Sequence, residues 1–400
     1  MPWEKCTIMD QKIAFIREWE SGEFYFNSLC EAYGISRPTG YKIMECYKKN
    51  GLHGLASKSR RPHNSPDSTN ETIIKEIKFW RSKKGWGAKK IRIKVIEKFD
   101  ISLVPSVTTI HNILIREGLV TRRKKRRKVE PSNPVFDPQH CNEIWSADYK
   151  GSFLLGNKKR CYPLTICDSC SRFIFNIQGQ YKENTKNVII VLKKVFKQYG
   201  QPKYFHTDNG SVFASIQSPG GYGFLSYWLL DHDIQPVFSD PGRPDQNGRH
   251  ERMHKDLKAR CCKPPAYNLR SQNRRMNQFV EEYNYERPHE NLDMKTPGKV
   301  HQLSNREWSD KIKPAEYDTE LMVKKVTASG AIRWGSYEWV NISRCLIGKY
   351  IGIKKLGNRV YQVFYRNYSL GYFKEGEQVE KGKYHLLDSD KDMNGRRRGF

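Results

Sequence analysis

The sequence predicts a multidomain chain: all-α helix-turn-helix units, then an α/β core with a mixed sheet, then a small all-β barrel. Three observations carry that prediction. Apolar residues recur at helical spacing over residues 7–120, interrupted by Gly and by a polar linker. From Asn142 onward, strand-like and helix-like runs follow the order β-β-β-α-β-α-β-α-α, which calls for a mixed sheet with helices on its faces. From about Tyr317, short alternating runs are punctuated by glycine turns, the pattern of a small barrel.

Taken in order, IMDQKIAFIREWESG places Ile8, Ile13, Phe15, Ile16 and Trp19 close to helical spacing. Leu29 and Tyr33 continue it, Gly34 breaks it, and Ser36 stands where an N-cap opens a helix to about Lys49. Helix, glycine turn, helix is a DNA-reading pattern whose second helix enters the major groove. The expected boundaries are 1–55 for this unit, 56–70 for a Pro/Ser-rich linker and 71–120 for a second helix-turn-helix. In the second unit Ser106 is the N-cap and Ile110, Ile113 and Leu114 share one face. Residues 121–140 form a basic linker containing Arg122, Arg123, Lys124, Lys125, Arg126, Arg127 and Lys128, an expected strap along DNA phosphates. The α/β core is expected over 141–300 and the barrel over 315–390.

Composition narrows the function. The chain has 400 residues, with 71 Lys+Arg against 43 Asp+Glu and a formal net charge of +28. Residues 1–130 hold 28 basic and 14 acidic side chains, so a third of the chain carries half of the excess. Such a charge calls for a polyanion, here double-stranded DNA. No run approaches the roughly 20 apolar residues of a membrane helix. MPWEKCTIMD has no basic start leading into an apolar run, so no secretory signal is expected. Ten cysteines are then read as reduced thiols in a cytosol-like compartment. Aromatic content of 12% argues against a disordered basic protein.

Three acids stand at the ends of predicted elements: Asp148 in WSADYKG, Asp208 in YFHTDNGS and Glu251 in the first turns of a helix. Carboxylate oxygens suit a hard cation, Mg²⁺ or Mn²⁺. Two ions sharing a carboxylate activate an attacking oxygen and stabilise a leaving one. Singly, each acid also reads as a cap or a surface charge. Lys255 and Lys258, at i+4 and i+7 from Glu251, add a phosphate-binding face to that helix. Asp168 and Asp245 are rival acids, read as turn and cap residues. His206 and His250 flank the acids, Trp145 reads as core, and Cys167 and Cys170 read as a structural strand-end pair.

The motifs NEIWSADYKG, FHTDNGSVFAS, FSDPGRPDQNGRHERMHKDLKA and YNYERPHENLDMKTP occur in the order found in insertion-sequence transposases of the retroviral-integrase type, and the chain resembles that family over about residues 1–300. The resemblance implies a ribonuclease H-like core with Asp148, Asp208 and Glu251 as catalytic metal ligands. It implies that Lys255 and Lys258 contact the DNA end. Two departures stand out. Forty-two residues separate Asp208 from Glu251, more than usual, with the surplus assigned to Ser215–Gly223. The paired His and Cys zinc ligands of retroviral integrases are missing from the N-terminal part. The expected protein is a bacterial, cytoplasmic, nucleoid-associated DNA transposase that nicks transposon ends and joins them to target DNA as at least a dimer. The alternatives are a DNA-binding regulator with an inactive acidic cluster and a nuclease that cuts without joining.

Overall fold

The computed structural model describes residues 7–56, 68–120, 138–215, 221–239, 248–379 and 382–387. The Arg122–Lys128 strap and Asp245 lie outside the described residues, as does part of the Ser215–Gly223 loop. Residues 1–70 form one compact unit and 71–400 another.

The first unit is three helices, α1 (Ile8–Glu20), α2 (Phe26–Ala32) and α3 (Arg37–Asn50). Thr7 and Asp10 cap α1 reciprocally: the Asp10 N–H donates to Thr7 Oγ1 at 3.2 Å, and the Thr7 N–H to Asp10 Oδ2 at 2.8 Å. Phe15, Ile16, Leu29, Cys30, Met44 and Leu55 make its core. The α2–α3 turn, Tyr33–Ser36, has the short helix-turn-helix form, with Gly34 at φ +62°. Gly40 allows α3 to close on α2, since a Cβ there would meet Cys30 Sγ at 2.8 Å.

The second unit opens with α4 (Glu71–Lys84), α5 (Ala88–Ile96) and α6 (Val107–Arg116). Ser106 caps α6 by accepting from the Thr109 N–H at 3.1 Å, and Ile110, Ile113 and Leu114 are its buried face. The loop between α5 and α6, residues 97–106, is longer than a helix-turn-helix turn.

The core follows with β1 (Ile144–Tyr149), β2 (Phe153–Leu154), β3 (Arg160–Asp168), β4 (Ile174–Gln180), α7 (Thr185–Tyr199), β5 (Tyr204–Thr207), α8 (Phe224–Leu230), β6 (Gln235–Phe238), α9 (Gly248–Leu257), α10 (Leu269–Glu281) and α11 (Pro297–Val300). Strand order is β4-β3-β1-β5-β6, with the short β2 also on β3. β3 is antiparallel to β1 and β4, whereas β1, β5 and β6 run parallel. This mixed sheet is the ribonuclease H-like arrangement. One face buries Trp145, Phe175 and Phe205 against Val188, Leu192 and Phe196 of α7. The other buries Cys161, Cys167 and Ile177 against Met253 and Leu257 of α9 and Met276 and Phe279 of α10. Being covered on both sides, β1 reads IWSADY rather than as a clean alternation. Helix α9 runs into a π-helical turn, Lys258–Cys262, and α10 into another, Glu282–Glu286.

The last region is all-β: β7 (Met322–Lys325), β8 (Ala331–Arg333), β9 (Trp339–Asn341), β10 (Tyr350–Gly357), β11 (Val360–Tyr365), β12 (Tyr368–Lys374) and β13 (Lys383–His385). The expected barrel does not close among the described residues. The strands form two open sheets, β12-β11-β10-β7 and β13-β9-β8. Their shared core also takes in Tyr227 and Leu230 of α8.

Candidate active site

The acids predicted at element ends come to one end of the sheet. In the parallel β1–β5 pair, Ile144 lies beside Tyr204, Trp145 beside Phe205 and Ser146 beside His206. Carrying that register two residues on sets Asp148 level with Asp208, the residue after β5. Neighbouring strands are about 4.8 Å apart, so the two backbones present these acids side by side. Gly210 follows closely: its N–H donates to Asp208 Oδ1 at 3.0 Å, and a Cβ there would crowd the same oxygen at 2.9 Å.

Alternation along β1 decides which way Asp148 faces. Trp145 and Ala147 belong to the α7-side core, and Ser146 and Asp148 point toward α9. Helix α9 buries His250, Met253, His254 and Leu257 and leaves Glu251 and Lys255 exposed. His250 and His254 pin it to the sheet beside Asp148. Thr165, opposite Asp148 on β3, donates its hydroxyl to the Asp148 carbonyl at 2.9 Å. The same oxygen lies 2.8 Å from Nε2 of both His250 and His254. With its proton committed, Thr165 accepts, which assigns the proton of each imidazole to Nε2. His250 Nδ1 then accepts from Ser146 Oγ at 3.0 Å.

These histidines are neutral. Burial, reinforced by the neighbouring His254, holds His250 well below its ordinary value. Burial and Lys150 push His254 down to about 3. Its Nδ1 is 3.7 Å from Asp148 Oδ2, but with the ring uncharged this is no ion pair. Burial also lowers His206, against the opposing pull of Asp208. Sequence reasoning missed Thr165 and His254. The signal available was the pair of histidines at i and i+4 around Glu251, a His-Glu-x-x-His spacing that holds zinc on other helices. Here both rings turn into the sheet and share a threonine, leaving the carboxylate outward.

The three carboxylates do not all lie within 4.8 Å of one another. The donor chemistry, three carboxylates with the imidazoles turned away, fits hard divalent cations. Lys255 lies on the exposed face of α9, but Lys258 opens the π-helical turn, where the i+7 spacing from Glu251 no longer guarantees a shared face.

One tighter group exists among the described residues: Cys141, Asp168 and His301 lie within 4.8 Å of one another. Asp168 is fully buried there and acts as a turn residue. It accepts from the Asn142 N–H at 3.1 Å, the Ser171 N–H at 2.7 Å and Ser171 Oγ at 2.5 Å. Burial raises the Cys141 thiol, and Cys170 to about 11, so these sulfurs stay protonated. Cys167 faces away from Cys170, toward Ser146 and His250. Trp145 is core, as its sequence position implies.

Comparison with known proteins finds two domain families in the chain. Residues 138–244 and 232–297 match the Integrase core domain family, and residues 11–63 match the Helix-turn-helix domain family. An uncharacterised 39.2 kDa protein of insertion element IS476 from Xanthomonas euvesicatoria is 27% identical over 169 residues, 42% of this chain and 46% of that protein. The transposase for transposon Tn552 from Staphylococcus aureus is 24% identical over 266 residues, 61% of this chain and 54% of that one. The chain thus spans about half the length of the curated relatives it matches. Among solved structures, the HTLV-2 integrase catalytic core domain covers 40% of this chain and 97% of its own, at 19% identity and a TM-score of 0.32. A chain of the simian T-cell lymphotropic virus intasome covers 74% of this chain and 97% of its own, at 15% identity and a TM-score of 0.37. No helix among the described residues is long and apolar enough to cross a membrane. The chain thus carries an integrase core domain match behind a helix-turn-helix domain match, and insertion-element and transposon proteins are similar to it.

Proposed function

We propose that the chain is a DDE transposase whose catalytic acids are Asp148, Asp208 and Glu251. The observation that supports it best is the β1–β5 register, which sets two of these acids level on adjacent strands, with the third on a helix pinned to the same strand. Two divalent cations held by the three carboxylates, Mg²⁺ or Mn²⁺, supply activation of the attacking oxygen and stabilisation of the leaving one.

The rest of the work falls to the chain. The helix-turn-helix of residues 11–63 and the α4–α6 unit bind the terminal repeats, and the Arg122–Lys128 strap follows the phosphates. Lys255 and Lys258 hold the backbone of the transposon end. Thr165, His250 and His254 position α9 without adding charge beside the acids. A water oxygen attacks the scissile phosphorus and the bond to the 3′-oxygen breaks, leaving a 3′-hydroxyl. That hydroxyl attacks a target phosphodiester, forming one phosphodiester as another breaks. Joining two ends together requires at least a dimer on DNA, working at the nucleoid of a bacterial host.

The test is incubation of the protein with its element's ends, a plasmid and Mg²⁺. Asp148→Asn, Asp208→Asn and Glu251→Gln each lose joining by more than about 100-fold while end binding stays within about twofold, since an amide keeps the shape but not the charge a hard cation needs. Near-normal joining by any one variant removes that residue from the set. Cutting without joining by the wild type identifies a nuclease, and binding without cutting identifies a regulator.

A further inference from the structure

The flank of α9 away from Glu251 borders a second, strongly basic cavity of 510 Å³. Lys90 from α5, Arg172 from the β3–β4 turn, Arg249 and Arg252 from α9, and Arg287 line it against two carboxylates, Asp256 and Glu290. Both carboxylates are already engaged: Asp256 with Arg287 at 2.6 Å, and Glu290 with Lys89 at 3.3 Å. The cations are therefore in excess within a partly enclosed space.

The hydrogen-bond inventory points the same way. Buried polar atoms nearly always find partners. Among the described residues, six buried side-chain nitrogens or oxygens have none, and two of them are guanidinium donors in this cavity's lining: Arg172 Nη1 and Arg287 Nε. Burial and the adjacent Arg249 both act against the charge on Arg172. Burial and Arg287 lower Lys90 to about 8. Cations pressed together in low dielectric with unfilled donors are stable only if an anion completes them.

We infer that this cavity is a binding site for a phosphate group, held by Arg172, Arg252, Arg287 and Lys90. A tetrahedral oxyanion accepts from several guanidinium N–H groups at once. A second cavity, of 320 Å³, shares Lys90 and Glu290 and reaches Val107 and Thr108 at the N-terminus of α6. The two are neighbours across Lys90 and Glu290. That adjacency favours a backbone phosphate of duplex DNA lying across α6 and the core, a source that rests on the transposase reading, whereas the phosphate site itself does not.

The experiment uses the full chain, wild type, Arg172→Gln and Arg252→Gln. Arg252 is exposed, so its variant keeps the fold even if removal of Arg172 does not. A 40-base-pair duplex of arbitrary sequence is titrated at several salt concentrations, and melting is followed with inorganic phosphate against chloride at equal ionic strength. The expected result is a duplex affinity about 5- to 10-fold lower and a salt slope shallower by about 1, as for one lost phosphate contact. A phosphate-dependent rise in wild-type melting temperature, lost in the variants while their salt slope is unchanged, assigns the site to a free phosphate instead. Wild-type slope together with wild-type phosphate response in Arg252→Gln overturns the proposal. Neither readout involves strand joining, so its failure is distinct from a failure of the acids to catalyse.

Discussion

At the scale of single residues, His289 shows how burial converts a side chain into a pH liability. Its pKa is lowered to about 3, first by burial and then by Lys90 and Arg287. In the unfolded chain it returns to about 6.5. A depressed folded pKa means that its contribution to stability is complete above pH 6.5 and is lost as pH falls toward 3. Unfolding at pH 5 therefore takes up a proton at this residue, worth up to about 2 kcal/mol. Chemical denaturation at pH 7.5 and pH 5 measures this. His289→Gln narrows the gap between the two pH values, and an unchanged gap shows that the ring is not held neutral. Residues of this kind were only partly legible beforehand. Asp148, Asp208 and Glu251 stand out in sequence because each sits at the end of a periodic run. Thr165 does not, since it is one polar residue inside an apolar strand, and its role exists only once β3 has paired with β1. The basic cavity was hidden for a similar reason: Lys90, Arg172 and Arg287 meet only in three dimensions.

At the scale of elements, period and caps carried most of the information. Ser106 and the Ile110, Ile113, Leu114 face mark α6 within a residue or so. The two-residue β2 is too short to show any alternation. The π-helical turns after α9 and α10 break the 3.6-residue period, which the sequence pattern does not announce. In the β region, alternation and glycine turns announce strands but not how the sheets join. Gly371 is where they do. It has φ +137°, and a Cβ on it would fall inside the envelope of the Leu387 carbonyl oxygen. The neighbouring Tyr372 exchanges backbone hydrogen bonds with Leu387 at 2.9 and 2.7 Å. Gly371→Ala is expected to cost on the order of 3 kcal/mol, combining backbone strain with a clash against main chain. Urea denaturation reads it, and a loss below about 0.5 kcal/mol shows that the 386–387 segment shifts freely.

At the scale of the whole molecule, the second unit is assembled around shared charges. Asp231, at the C-terminal end of α8, has its side chain 3% exposed and receives Lys349, Tyr365 and Arg366 from the β region, the last at 3.3 Å. Asp231→Asn leaves Lys349 and Arg366 without their counter-charge and is expected to cost about 3 kcal/mol, near the lower end for breaking a buried pair. Earlier melting of the β region, read by its own tryptophan fluorescence at Trp334, follows from that. Coincident, unshifted melting shows that the apolar contacts with Tyr227 and Leu230 suffice. The α4–α6 unit is tied down in a similar way. Lys84 reaches Glu282 at 2.8 Å and Glu286 at 2.7 Å, Lys89 reaches Glu290, and Arg260 donates to the Lys83 carbonyl at 2.6 Å. This bears on modularity. A foreign helical unit grafted in place of residues 71–120 would leave Glu286 and Glu290 without their lysines, whereas Glu282 keeps Arg260 at 2.8 Å. Any exchange of that segment therefore has to carry Lys84 and Lys89 across the junction, or neutralise their partners in the same step.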